Sequence, residues 1–353
     1  MKVMKYPIKL LLLFFQFTFL AIHSQANDQN STTDDPYKML HIIPNPDGSI
    51  TRMKRYYPTV PPNGSTSLAF SKDVPLNTGK NTWVRLYLPI NISQPVSRPV
   101  TKNLPIVVFS HGGGFIIMST ASPTFDSFLS NTASKLHALV VSIEYRLAPE
   151  HRLPAAYDDV LEGLHWVKEK KDDWVKNYAN VSNCIVMGES AGGNIAYHVG
   201  LRASVLVHEL NPLVIKGLVL IQPFFGGLNR TRSELRKPAS FGLPVVITDL
   251  MWNLSLPIGA NRNHPYCDPI IEGGSNKMLD KIKELGWRVA IAGYDRDRLF
   301  DKQLEVFEFL KQRGVDVVGN FSKGGYHGVF VKEANISEKL FEFMRRVFSS
   351  NLA

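Results

Sequence analysis

The chain has 353 residues but only two cysteines, Cys184 and Cys267. That excludes a disulfide framework, and no Cys/His spacing of the metal-binding kind is present. The dinucleotide-binding and phosphate-loop glycine patterns are also missing. No apolar run makes a comfortable membrane span: Leu10 to Ile22 is too short. Charge of one sign is not concentrated either. The formal net charge is +9, but Lys2, Lys5 and Lys9 account for three of the excess. Elsewhere acids are interleaved, as in Lys168-Glu169-Lys170-Lys171. Without a basic stripe carrying aromatics, nucleic acid is not an expected partner. No stable membrane partner is expected.

The N-terminus has a sequence signature of its own. A basic start, the apolar core Leu10 to Ile22 and the small-x-small triplet Ser24-Gln25-Ala26 predict a signal peptide over residues 1–26. Residues 27–353 would then be the mature protein, about 320 residues, a size that suits one large α/β domain. An uncleaved N-terminal membrane anchor is the alternative. Asn-x-Ser/Thr triplets begin at Asn30, Asn63, Asn91, Asn180, Asn229, Asn253 and Asn335, consistent with the secretory route as a glycoprotein.

Beyond the leader, apolar strand-like runs alternate with helical patterns, which predicts a mainly parallel sheet flanked by helices. Within that pattern lies Gly188-Glu189-Ser190-Ala191-Gly192. The apolar run Cys184 to Met187 precedes it and a helix start follows, the context of a nucleophile elbow. An isolated Gly-x-Ser-x-Gly is equally an ordinary turn. Here a second signal accompanies it: His111-Gly112-Gly113-Gly114-Phe115 follows the apolar strand Leu104 to Phe109. Such a loop supplies amides to an oxyanion hole. Gly112, Gly113 and Gly114 with Ala191 are the candidates, and one donor is typically worth roughly 3 kcal/mol.

A serine nucleophile needs a base, and the base needs an orienting acid. His327 lies in Gly324-Gly325-Tyr326-His327-Gly328 after the last strand-like run and is the candidate base. Three aspartates follow the strand Arg288 to Gly293. Asp301 opens a helical run and is expected to be an N-cap. Asp295 and Asp297 are both candidate acids.

Together with Tyr145-Arg146-Leu147-Ala148-Pro149-Glu150, these motifs resemble plant carboxylesterases of the hormone-sensitive-lipase-like group of α/β-hydrolases. The resemblance runs from about Pro36 to the C-terminal helix. It implies the α/β-hydrolase fold, with a cap contributed by about 36–75 and 224–267. It carries the acid role to Asp297, the first aspartate of Asp297-Arg298-Leu299-Phe300-Asp301. The chain departs from the family at Arg298, where proline is usual, and at Glu189, where aspartate is commoner. It departs again in having a leader.

The resulting expectation is a serine carboxylesterase acting on small-molecule esters, an ester of a plant specialised metabolite among them, with no cofactor and no metal. Phe115, Ile116, Ile117, Phe224, Phe225 and Tyr326 are the candidate substrate-pocket residues, with core packing as the other role for the phenylalanines and isoleucines. Arg146, Glu150, Asp158 and Asp159 are expected to form a polar network holding the loop beneath the oxyanion segment. The rival readings are a lyase or cyclase on a specialised metabolite and a non-catalytic hormone receptor. An intact His327 argues against the receptor.

Overall fold

Leu104–Ser110 and Ala179–Glu189 carry β-branched and other apolar residues, the first running into a glycine-rich loop and the second into a tight turn before a helix. From Ile106 and Cys184 onward they are strands buried on both faces. The computed structural model describes residues 35–63, 68–91, 98–99, 103–236, 243–271 and 276–348. The expected signal peptide and the Asn30 triplet lie outside them.

First comes α1 (Pro36–Met39), then a hairpin of β1 (Ile42–Pro44) and β2 (Ile50–Arg52). Next are β3 (Ala69–Asn77), β4 (Thr82–Asn91) and the short β5 (Arg98–Pro99). An alternating run follows: β6 (Leu104–Ser110), α2 (Pro123–Leu136), β7 (Leu139–Glu144), α3 (Ala155–Lys168), α4 (Asp173–Tyr178), β8 (Ala179–Glu189), α5 (Ala191–Val205) and α6 (Val207–Leu210). After β9 (Ile215–Ile221) a long connection holds α7 (Arg232–Leu235), α8 (Val245–Ser255) and α9 (Asn276–Glu284). The chain then runs through β10 (Arg288–Tyr294), α10 (Phe300–Gln312), β11 (Val317–Ser322), α11 (Val329–Lys332) and α12 (Ala334–Val347). The stretch 36–75, read as irregular and cap-forming, differs at its end, because Ala69–Asn77 is a strand of the main sheet.

That sheet has the order β11-β10-β9-β8-β6-β7-β4-β3, with β5 on β4. From β11 to β7 it is parallel, and β4 joins antiparallel to its neighbours. Side chains alternate between two cores. Ile106, Val108, Cys184 and Val186 face one, while Val107, Phe109, Ile185 and Met187 face the other.

The strand order fixes where chemistry can occur. From β6 the chain moves to β7 on one side, and from β8 it moves to β9 on the other. The β6–β8 pair is therefore the topological switch point, where loops leaving the carboxyl ends of adjacent strands diverge and leave a crevice. Ser110 pairs with Gly188 in that register, so the loops beginning at His111 and Ser190 emerge side by side.

Candidate active site

Ser190 sits at the turn between β8 and α5 with φ 55° and ψ −118°, a strained conformation for a residue with a side chain. Its backbone is held from three sides. The Ser190 N–H donates to the Ile221 carbonyl at 2.8 Å, and its own carbonyl accepts from Asn194 and Phe224 at 3.1 and 2.9 Å. The flanking glycines follow from close approach. A Cβ on Gly188 would collide with the Gly192 carbonyl, and one on Gly192 with the Ser110 carbonyl.

Three side chains form a line. His327 Nε2 lies 2.9 Å from Ser190 Oγ, and His327 Nδ1 lies 2.9 Å from Asp297 Oδ2. The carboxylate can only accept, so Nδ1 carries the proton and Nε2 accepts from the serine hydroxyl. Burial pulls the His327 pKa down, but the Asp297 charge, its hydrogen bond and the Glu189 carboxylate outweigh that, and the net shift is upward.

Asp297 is fully buried and has four donors. Oδ1 accepts from the Leu299 N–H at 3.0 Å, while Oδ2 accepts from Gln222 and Gln303 at 2.8 and 3.1 Å as well as from His327. Asp295 lies apart, accepting from the Gly324 N–H at 2.7 Å. Asp301 is not the N-cap of α10; Leu299 holds that position, and Asp301 accepts from the Ser233 N–H at 2.7 Å.

Gln222 was not singled out in the sequence. Its amide NH2 donates to Asp297 and to the Tyr326 carbonyl at 3.0 Å, and its oxygen accepts from the Gly328 N–H at 2.9 Å. One side chain therefore fixes the acid and both flanks of His327. The only sequence signal is its place at the carboxyl end of a buried strand, which many residues share.

Opposite stands the glycine loop. Gly113, Gly114 and Phe115 have φ of 108°, 61° and 67°, a run of positive values that glycine favours at the first two positions. The N–H groups of Gly113, Gly114 and Ala191 donate to no other described residue. Gly112 has a different constraint: a Cβ there would strike the Glu189 carboxyl, which lies against it. Burial pushes the Glu189 pKa up to about 7, against the pull of His327 and Lys332. Its Oε1 is 3.9 Å from His327 Nε2.

The loop is held from outside by Arg52, whose guanidinium donates to the Ile116 and Ala148 carbonyls at 2.7 Å each and pairs with Glu150 at 2.7 Å. The expected single network of Arg146, Glu150, Asp158 and Asp159 is instead three separate pairs. Arg146 forks onto Asp159 at 2.7 Å, Asp158 takes Arg202 at 2.6 Å, and Glu150 takes Arg52. From the other side, Ser255 Oγ donates to the Gly114 carbonyl at 3.2 Å, and Met251 fills the space a Cβ on Gly114 would need.

Phe115, Ile116, Ile117, Phe224 and Phe225 are all buried in the core. Phe224 stacks on Trp252 at 4.5 Å, and Phe225 meets Tyr197 edge-on at 5.4 Å. Tyr326 is half-buried, and its hydroxyl donates to Glu333 at 2.9 Å. Among the described residues no cluster of His, Cys, Asp and Glu could hold a metal.

The profile of a family described as alpha/beta hydrolase fold matches residues 107–331. Carboxylesterase 20 of Arabidopsis thaliana is 46% identical over 87% of this chain and 94% of its own length. A 3-O-acetylpapaveroxine carboxylesterase, CXE1 of Papaver somniferum, is 38% identical over 88% of this chain and 96% of its own. Among solved structures, an esterase of Pyrobaculum calidifontis superposes with a TM-score of 0.64 at 25% identity, over 82% of this chain and 87% of that one.

Proposed function

Since the chain belongs to the α/β-hydrolase fold family and is a carboxylesterase, we propose that Ser190, His327 and Asp297 carry its ester hydrolysis. The single observation supporting this is the line of hydrogen bonds Ser190 Oγ to His327 Nε2 and His327 Nδ1 to Asp297, each 2.9 Å. Ser190 Oγ attacks the ester carbonyl as its proton passes to His327 Nε2. Asp297 keeps the proton on Nδ1 and stabilises the imidazolium. The amides of Gly113, Gly114 and Ala191 take the charge that develops on the carbonyl oxygen. Collapse expels the alcohol, protonated by His327. Water, deprotonated by the same nitrogen, then attacks the acyl-enzyme and releases the acid and the free serine.

Ser190→Ala is the deciding variant. It is expected to fold as the wild type does, by circular dichroism, and to lose turnover of p-nitrophenyl butyrate. Near-wild-type turnover would end this reading.

The substrate is a small-molecule ester, and within that class we favour an ester of a specialised metabolite. The support is that the poppy relatives are named for an O-acetyl ester. Phe115, Ile116, Phe224 and Phe225 are at most 1% exposed and pack as core, so of the candidate pocket residues we place Ile117 and the half-buried Tyr326 at the ester-binding space. A panel running from acetyl to longer acyl esters tests the acyl side of this assignment.

We further propose entry to the secretory pathway. The basic start, short apolar core and small-x-small triplet of residues 1–26 support it. No helix among the described residues is long and apolar enough to cross a membrane.

A further inference from the structure

The loop 295–299 that carries Asp297 leaves β10 and lies along residues 231–236 of the β9–β10 connection. Six hydrogen bonds join residues 295–301 to this segment around α7. The Ser233 N–H donates to Asp301 at 2.7 Å, and Ser233 Oγ donates to the Arg298 carbonyl at 2.8 Å while accepting from the Asp301 N–H at 3.1 Å. The Arg298 guanidinium closes the junction, donating from Nη1 to the Glu234 carbonyl at 2.7 Å and from Nη2 to the Arg236 carbonyl at 3.1 Å.

Arg298 is only 9% exposed, and no ion pair of the described residues includes it. A buried guanidinium facing carbonyls alone is a costly choice for mere surface cohesion. What it offers is a rigid fork that grips two points of a neighbouring chain at once. The gripped segment is itself anchored. Glu234 and Asp249 form a closed ring of ion pairs with Arg230 and Arg262, at 2.6 to 3.0 Å, that ties α7 to α8. α8 in turn bonds Gly114 through Ser255.

We propose that Arg298 is a positioning residue for Asp297: its fork fixes the acid loop against residues 234–236, so that Asp297 Oδ2 stays on His327 Nδ1. The proposal rests on the assignment of Asp297 as the orienting acid. It also accounts for the departure from the usual proline. Proline stiffens such a turn from within, whereas Arg298 stiffens it from across the junction. The Arg298 N–H donates to no described residue, so proline at this position loses no hydrogen bond.

The test measures kcat, KM, the pH profile of kcat/KM with p-nitrophenyl butyrate, and Tm, for Arg298→Ala, Arg298→Lys, Arg298→Pro and Ser233→Ala, with Ser190→Ala alongside. The charged groups facing His327 are Asp297, Glu189 and Lys332, and of these Asp297 has the largest upward effect. A loosened Asp297 therefore moves the acid limb to lower pH. Arg298→Ala is expected to lose about 10- to 100-fold in kcat with KM little changed, as small misplacements do, and to shift the limb downward. Arg298→Lys, which cannot span both carbonyls, falls between. Arg298→Pro restores kcat and the limb. Ser233→Ala, which removes only the hydroxyl bonds, shifts the limb in the same direction and serves if Arg298→Ala does not fold. A lowered Tm with unchanged kcat and an unmoved limb across the folded variants would overturn the proposal. Persistent turnover in Ser190→Ala would instead overturn the assignment beneath it, a separate and recognisable result.

Discussion

Two carboxyls face His327 from opposite sides, Asp297 at 2.9 Å from Nδ1 and Glu189 at 3.9 Å from Nε2. They differ in what surrounds them. Asp297 has four hydrogen-bond donors, whereas burial pushes the Glu189 pKa to about 7 from 4.5, against the pull of His327 and Lys332. An acid whose pKa rises on folding holds its proton more tightly in the native state. Its contribution to stability is fully present below about 4.5 and is lost as pH rises to about 7. Glu189→Gln, which removes the titration, is expected to match the wild type near pH 4.5. Above pH 7 it is expected to be more stable, by at most about 3 kcal/mol. Chemical denaturation at the two pH values measures this. Equal stability at both would mean the carboxyl is solvated after all. The two aspartates of the acid loop separate by the same logic of partners. Asp297→Asn presents an NH2 where Nδ1–H needs an acceptor, and kcat is expected to fall about 10⁴-fold. Asp295→Asn loses only part of one bond to Gly324 and is expected to stay within about tenfold on p-nitrophenyl butyrate, since that bond is remote from the reacting atoms.

At the scale of elements, the β8–α5 turn is a place where two backbones nearly touch. Gly192→Ala would drive a methyl group into the Ser110 carbonyl of β6. It is expected to cost more than about 4 kcal/mol or to prevent folding. Gly259→Ala meets nothing, although φ is +81° there, and should cost only about 1–2 kcal/mol for the left-handed backbone. Urea unfolding of the two variants gives the comparison. This turn was legible in the sequence because its constraint is local: the strand, the serine and both glycines lie within nine residues. The glycine loop and the His327 loop were legible for the same reason. Gln222 was not, since it meets Asp297 across 75 positions. Nor was the grip of Arg298 on Glu234, which spans 64 positions between an irregular loop and a four-residue helix. Neither partner has a periodicity that would predict the meeting. Asp295 and Asp297 were inseparable by spacing alone because both follow the same strand; only the path of the turn assigns one to His327.

For the whole molecule, a mainly parallel sheet flanked by helices followed from alternating apolar runs, while the β9–β10 connection, rich in proline, glycine and asparagine, carried no period from which its folding onto the site could be read. The leader is a whole-molecule property as well. If it acts as proposed, the mature chain begins near Asn27 and bears N-linked glycans. Expression in plant cells, N-terminal sequencing and endoglycosidase treatment are expected to show that start and a mobility shift. An intact Met1 without a shift would place the chain outside the secretory route, and an intact leader with a shift would favour the anchored alternative. The double attachment of the β9–β10 connection bears on how substrate range changes over time. Residues 233–236 grip the acid loop, α8 grips the glycine loop, and the ring of Arg230, Glu234, Asp249 and Arg262 joins the two. Transplanting this connection whole from a relative would therefore bring foreign alignment along with foreign specificity. New preferences would be more readily built one exposed position at a time, at sites such as Leu228, Val246 and Ile258, with the gripping residues left in place.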